Sequence, residues 1–246
     1  MQDSLDHKEL QHFSAHSDKW WDENGPFAPL HALNPVRLDY IKSRMTEHFG
    51  LEDSGPEALK GLNILDVGCG GGLVCEPLAR LGANVTGIDA DSQAIDVAQT
   101  HARRNGLKIS YLCQTSDERA LSSPETFDVV LGLEIVEHVK NRKDFVKSLF
   151  DLCSPGGLVI LSTLNRTPKS FLLGIVAAEY ILKWLPKNTH SWKSFVKPHE
   201  LADDVRWSGG RPVDICGLVY NPIQCRFTLS PSDIHTNYLM TAQKPK

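Results

Sequence analysis

The stretch Leu62-Asn-Ile-Leu-Asp66-Val-Gly68-Cys-Gly70-Gly71-Gly72-Leu73 decides the fold. A short apolar run, residues 64–67, passes straight into glycines, as a buried strand does when it must turn sharply into a helix. The same pattern recurs downstream. Apolar runs at 85–88, 109–112, 129–133 and 158–162 read as buried strands, and helical patterns at 73–81, 92–105 and 142–153 lie between them. Pro155-Gly156-Gly157 is expected to end the last of these helices and turn the chain into the next strand. Such alternation predicts an α/β fold: a doubly wound, mostly parallel sheet of seven strands, with segments near 213–219 and 238–243 as antiparallel edge strands. Residues 57–246 make this domain. Residues 1–56 precede it as an arm rich in aromatics and turn residues, a helix over 37–49 and a polar linker, and a helical insertion is expected at about 166–200.

Composition narrows the function. The 246 residues are 41% hydrophobic and 23% charged, the balance of a soluble globular enzyme with a sizeable core. A net charge of −4, with no dense Lys/Arg run, offers a polyanion no basic field, so nucleic-acid binding is disfavoured. The six cysteines are scattered without a Cys-x-x-Cys pair, which argues against a structural zinc or a disulfide framework and for a reducing compartment. Residues 1–10 carry acids and a lysine but no apolar run, so neither a secretory leader nor an Arg-rich transit peptide is expected. No stretch approaches the roughly 20 apolar residues that span a bilayer. The expectation is a cytoplasmic protein.

The glycine loop points to a nucleoside cofactor. Glycines let the backbone approach a ligand, and Gly87-Ile88-Asp89 puts an acid about 20 residues on, at the end of the second strand, where ribose hydroxyls bind. A dinucleotide fingerprint aligned on Gly68 and Gly70 needs a small residue at position 73, which is Leu73. The spacing acid-x-Gly-x-Gly-x-Gly, by contrast, is complete in Asp66, Gly68, Gly70 and Gly72. It looks like motif I of the class I methyltransferases, in which the loop faces the methionine part of S-adenosylmethionine.

After the fourth strand comes Leu133-Glu134-Ile-Val-Glu137-His138. If this is helical, Glu134, Glu137 and His138 share one face at the carboxyl edge of the sheet, where ligands of open α/β sheets bind. Two readings stand open. The three side chains could hold a divalent cation that binds a phenolate; the oxygen ligands suit magnesium, and the histidine suits manganese, iron or zinc better. Equally, acids in a first helical turn are favoured by the helix dipole without any metal.

Several further stretches give the chain a family resemblance: Trp20-Trp-Asp-Glu-Asn-Gly-Pro-Phe-Ala-Pro-Leu-His31, Asn34-Pro-Val-Arg37-Leu, Ser162-Thr-Leu-Asn-Arg166, Pro186-Lys-Asn-Thr-His190 and Gly217-Leu-Val-Tyr-Asn-Pro222. From about Phe13 onward the chain resembles the ubiquinone-biosynthesis O-methyltransferases, enzymes that methylate polyprenyl catechol and demethylubiquinol intermediates. The resemblance implies S-adenosylmethionine as cofactor, a polyprenyl phenol or quinol as substrate, magnesium, and contact with other ubiquinone-biosynthesis proteins. It implies that Arg37 reaches the cofactor's carboxylate, that Gly68 lines the loop, that Asp89 binds the ribose and that Leu133 lies beside the cofactor. It also implies that Glu134, Glu137 and His138 ligate the metal. Gln114 stands where relatives often carry an acid, and residues 203–211 depart from the usual run, which leaves that helix's boundary open.

A phenol with a pKa of about 10 is a poor nucleophile at pH 7, so a base is needed; His138, where it is not a ligand, and His190 are the candidates, the latter equally readable as a surface histidine. Trp20, Trp21 and Phe27 read either as a lid over the cofactor or as a strap closing the core. The segment 171–185, apolar almost all round with basic flanks, is too short to span a bilayer. It reads either as a core helix or as an interfacial helix that holds the protein on the inner membrane face. A noncatalytic scaffold of the same fold is the rival from another class, and the intact loop and acids argue against it.

Overall fold

The computed structural model describes residues 17–52, 55–171, 192–221, 224 and 226–246. A three-residue 3-10 turn, Ser17–Lys19, opens the arm and leads to helix α1, Ala28–Phe49. The helix begins nine residues before the expected start at Arg37. Pro29 falls in its first turn, where a missing N–H is no loss, and Pro35 is carried inside it. Gly50 ends it in the left-handed conformation (φ 65°), with its N–H donating to the carbonyl of Thr46.

The domain then runs β1 Asn63–Val67, α2 Cys75–Arg80, β2 Asn84–Asp89, α3 Ser92–Arg104, β3 Ser110–Cys113, α4 Ser116–Ser122 and β4 Phe127–Leu133. It continues with α5 Arg142–Leu152, β5 Cys153–Leu164, α6 Pro168–Ser170, α7 Pro198–Trp207, β6 Arg211–Asn221, β7 Arg226–Ser230 and β8 Asn237–Gln243. The sheet has eight strands in the order β3-β2-β1-β4-β5-β8-β6-β7, one more than expected. The extra strand is β7, whose short Arg-Phe-Thr-Leu-Ser run lies between prolines 222 and 231 and reads locally as loop. β1 to β5 pair in parallel, and β8 runs antiparallel between β5 and β6, so it is an interior strand rather than an edge. Pro155-Gly156-Gly157 lies within β5 rather than before it, at a register shift against β4, where Gly156 and Gly157 exchange backbone bonds with Lys244.

Side chains of successive residues leave opposite faces of a strand, and each face builds a core. Ile64, Val129 and Ile160 join α1, α2 and α3 on one side, while Leu65, Val130 and Leu161 join α5 and α7 on the other. Because β1, β2, β3 and β4 are parallel, their carboxyl ends, Val67, Asp89, Cys113 and Leu133, lie along one edge, and the arm returns to that edge. Among the described residues no helix is long and apolar enough to cross a membrane.

Candidate active site

The loop after β1 is held from below by backbone bonds. The N–H groups of Gly68 and Cys69 both donate to the carbonyl of Ile88 (2.8 and 3.1 Å). Gly68, Gly70 and Gly72 have φ of 75°, 51° and 85°, the left-handed region that glycine enters freely. At Gly68 a Cβ would in addition lie 2.4 Å from Ile135 Cδ1. These glycines therefore serve the backbone path as well as any ligand.

Two aspartates close the loop. Asp89 accepts from the N–H of Gly70 on Oδ2 and from that of Asp91 on Oδ1, both at 2.9 Å. This fixes the carboxylate at the end of β2 and leaves it lone pairs for ribose hydroxyls. Asp66 is 2% exposed, and burial pushes its carboxyl up to about 6 against the opposing pull of the Cys75 thiol (3.3 Å) and the Arg37 charge. Arg37, also buried, donates from Nη2 to Asn34 Oδ1 (2.9 Å), and Asn34 donates to the carbonyl of Leu73 (2.7 Å), so α1 is tied to the far end of the loop. Burial pulls the guanidinium pKa down, and the charges of Glu134 and Asp66 oppose it. Its Nε is buried with no partner among the described residues. Left-handed glycines, a fixed acid and a buried cationic donor are groups that could hold a nucleoside cofactor carrying a carboxylate, as S-adenosylmethionine does.

The segment after β4 differs from the expected helix. Glu134 has φ 52°, strained for a residue with a side chain, and only Val136–His138 form a short 3-10 turn. The strain is held by tertiary bonds. The Glu134 N–H donates to both oxygens of Ser162, backbone (3.0 Å) and side chain (3.1 Å). Its carboxylate accepts from Ser162 Oγ (2.7 Å) and from Asn237 Nδ2 on both oxygens (3.1 Å each). Glu137 is buried and accepts from Thr163 Oγ1 (2.6 Å), while its Oε1 has no partner; burial first and the Glu134 charge second push it up to about 7. Glu134 and Glu137 thus interact, but among the described residues no three His, Cys, Asp or Glu side chains come together as metal ligands. The expected set of Glu134, Glu137 and His138 on one helical face is corrected accordingly: the left-handed turn at Glu134 takes it off any common helix. His190 lies outside the described residues. Ser162, Thr163 and Asn237, which orient the two acids, come from β5 and β8; Ser162 and Thr163 fall in the stretch 162–166 that carries the family resemblance, but nothing in the local sequence pairs any of the three with the acids.

The arm lies across the loop. Trp21 Nε1 donates to the carbonyl of Gly71 (3.0 Å), and its ring stacks on His101 at 3.5 Å, which Glu76 in turn holds through Nδ1 (2.6 Å). Trp20 stacks on Phe27 at 3.9 Å.

Comparison with known proteins agrees with this geometry. Residues 65–161 match the methyltransferase domain family. The ubiquinone biosynthesis O-methyltransferase of Roseobacter denitrificans is 48% identical over 244 residues, covering 99% of this chain and 98% of that protein. Its mitochondrial counterpart in Arabidopsis thaliana is 46% identical, over 99% of this chain and 76% of that one. Among solved structures, magnesium protoporphyrin IX methyltransferase from Synechocystis, with bound S-adenosylhomocysteine, aligns over 96% of this chain and 99% of its own at a TM-score of 0.63 and 17% identity, a likeness of fold. A chain with this loop, this sheet and near-half identity along its whole length belongs to the ubiquinone biosynthesis O-methyltransferase family.

Proposed function

We propose that this chain transfers a methyl group from S-adenosylmethionine to a phenolic hydroxyl of a polyprenylated catechol or quinol in ubiquinone biosynthesis. The observation that carries the reading is the full-length identity to enzymes of that name, 48% over 99% of the chain. In this reading Arg37, Asp66, Gly68, Gly70, Gly72, Asp89 and Leu133 bind the cofactor. The bound cofactor supplies an electrophilic methyl group on sulfur. Asp89 fixes the ribose, Arg37 fixes the carboxylate, and buried Leu133 walls the site at the end of β4, so that donor and acceptor meet in line. Alignment of that kind is worth effective molarities of about 10⁵–10⁸ M. His138, on the rim beside Glu137, and His190 are the proposed acceptors of the phenolic proton. Purified enzyme with a short-chain polyprenyl catechol and methyl-labelled cofactor should yield labelled ether. Bound cofactor without transfer to any phenol would instead leave a noncatalytic member of the fold.

Magnesium is a finer part of the reading. The Glu134 and Glu137 carboxylates are its proposed oxygen ligands, supported by the unpaired Oε1 of Glu137. As arranged, Glu134, Glu137 and His138 do not make a three-ligand centre. Loss of turnover in excess EDTA, restored by magnesium, is the expected result; full turnover there removes the ion from the reading. Peripheral attachment to the inner membrane face rests on segment 171–185, which but for Phe171 lies outside the described residues. Wild-type protein should pellet with anionic vesicles, and protein with Leu172, Ile175 and Ile181 changed to aspartate should not; wild type left in the supernatant sinks the membrane reading.

A further inference from the structure

One glycine of the loop has no backbone reason to be there. Gly71 is outside the Asp66, Gly68, Gly70, Gly72 spacing, and unlike those three glycines it does not have a positive φ. What it lacks room for is a side chain: a Cβ on Gly71 would lie 2.4 Å from Cβ of Trp20, and one on Gly70 would lie 2.4 Å from the Trp20 ring. The loop is shaped to seat an indole.

That indole is held in place from several sides. Its ring stacks on Phe27 with only 6° between the planes, and its carbonyl oxygen is 2.8 Å from His31 Nε2. The next residue, Trp21, is pinned to Gly71 and His101, and Ser17 Oγ donates to Asp91 Oδ2 at 2.8 Å. Yet the Nε1–H of this fixed ring is buried and has no acceptor among the described residues. A buried donor left unpaired is costly, and such an atom in a native structure calls for a partner such as a ligand or a water. Arg37 Nε is in the same position, and Arg37 is joined through Asn34 to the same loop at Leu73. Two unspent donors, one cationic and one neutral, thus flank the loop that faces the amino-acid end of the cofactor. An indole N–H donates only, so the missing partner is an acceptor, and a carboxylate can take both bonds.

We propose that Trp20 is a cofactor-binding residue: its Nε1–H donates to the carboxylate of the methionine part beside Arg37, and its ring shields that end of the cofactor from water. The proposal rests on the S-adenosylmethionine reading above and goes beyond it in assigning the arm a direct bond to the ligand.

Calorimetric titration with two ligands tests it. S-Adenosylhomocysteine carries the carboxylate; 5′-methylthioadenosine keeps the nucleoside and the sulfur but lacks the amino-acid part. Trp20→Phe preserves the ring and its stacking while removing the N–H. It should weaken S-adenosylhomocysteine about tenfold or more, the usual loss for a hydrogen bond to a charged group, and leave methylthioadenosine unchanged. If Trp20→Phe does not fold, Gly71→Ala reads the same ratio, because it keeps the indole and displaces it. Equal loss of both ligands would reduce Trp20 to a hydrophobic cover, and wild-type affinity for both would remove it from the site; either overturns the proposal. Failure of wild-type protein to bind S-adenosylhomocysteine is the separate result that overturns the cofactor reading itself.

Discussion

At the scale of single residues, spacing in the sequence is enough to place Gly68, Gly70 and Gly72 in a tight turn after β1 and Asp89 at the end of β2, because a left-handed turn constrains residue type locally. Glu134 was not legible in this way. Its neighbours suggest a helix start, and its left-handed turn is imposed by Ser162 and Asn237, which arrive from elsewhere in the chain. Asp66 carries a consequence for pH. Its folded pKa of about 6 lies above the usual 3.9 of an unfolded chain, so the folded state holds the extra proton between those values. The sign follows: this residue lowers stability as pH rises from about 4 through 6, and it stays unfavourable above that window. The shift corresponds to roughly 3 kcal/mol at most. Urea unfolding of the ligand-free protein at pH 4.5 and pH 7 should show this fall, and Asp66→Asn should make it smaller, leaving the part of the same sign that buried Glu137 contributes. Parallel pH profiles for wild type and variant would mean that Asp66 is better solvated than its burial implies.

Among the elements, α3 and α5 were legible from their periodic apolar faces, whereas α1 was read too short because Pro26, Pro29 and Pro35 look like turn residues. Pro26 lies before the helix and Pro29 in its first turn; the helix tolerates Pro35 because its buried face, Leu33, Ile41 and Met45, packs on the sheet, and tertiary burial outweighs a lost backbone bond. The contact of α5 with α7 is less forgiving. Asp204, 1% exposed, pairs with Arg142 across these helices, and Arg166 and Arg142 both reach Glu200 one turn earlier. Removing one partner of a buried pair strands the other charge, at a cost of about 3–5 kcal/mol; replacing both with apolar residues often restores much of the loss. Arg142→Met should therefore lower the urea midpoint sharply, with Arg142→Met/Asp204→Leu recovering at least half. A double variant as unstable as the sum of its parts would place the loss in packing rather than in the stranded carboxylate.

For the molecule as a whole, the parallel half of the sheet was legible because each strand is followed by a helix that must cross back, which leaves few arrangements. At the antiparallel end β6 and β8 were legible as strands but their order was not, since the place of β8 between β5 and β6 depends on pairings made far apart in the chain, such as Ser162 with Leu239 and Cys216 with Leu239. That order matters to the site: it brings Asn237, at the start of β8, against Glu134. The proposed cofactor site draws on the arm, α1 and the ends of β1, β2 and β4, and those strands carry both cores. A ligand bound there joins the arm and α1 to the ends of three central strands that share both cores, and so stabilises a single cooperative unit. At 100 times its Kd a ligand adds about 2.7 kcal/mol, which for a domain of this size raises Tm by about 5–10 °C. S-Adenosylhomocysteine should shift the whole calorimetric transition by that amount. A shift confined to a minor early transition, with the main peak unmoved, would mean that the arm opens independently and that the ligand's bonds to β1 and β2 contribute little.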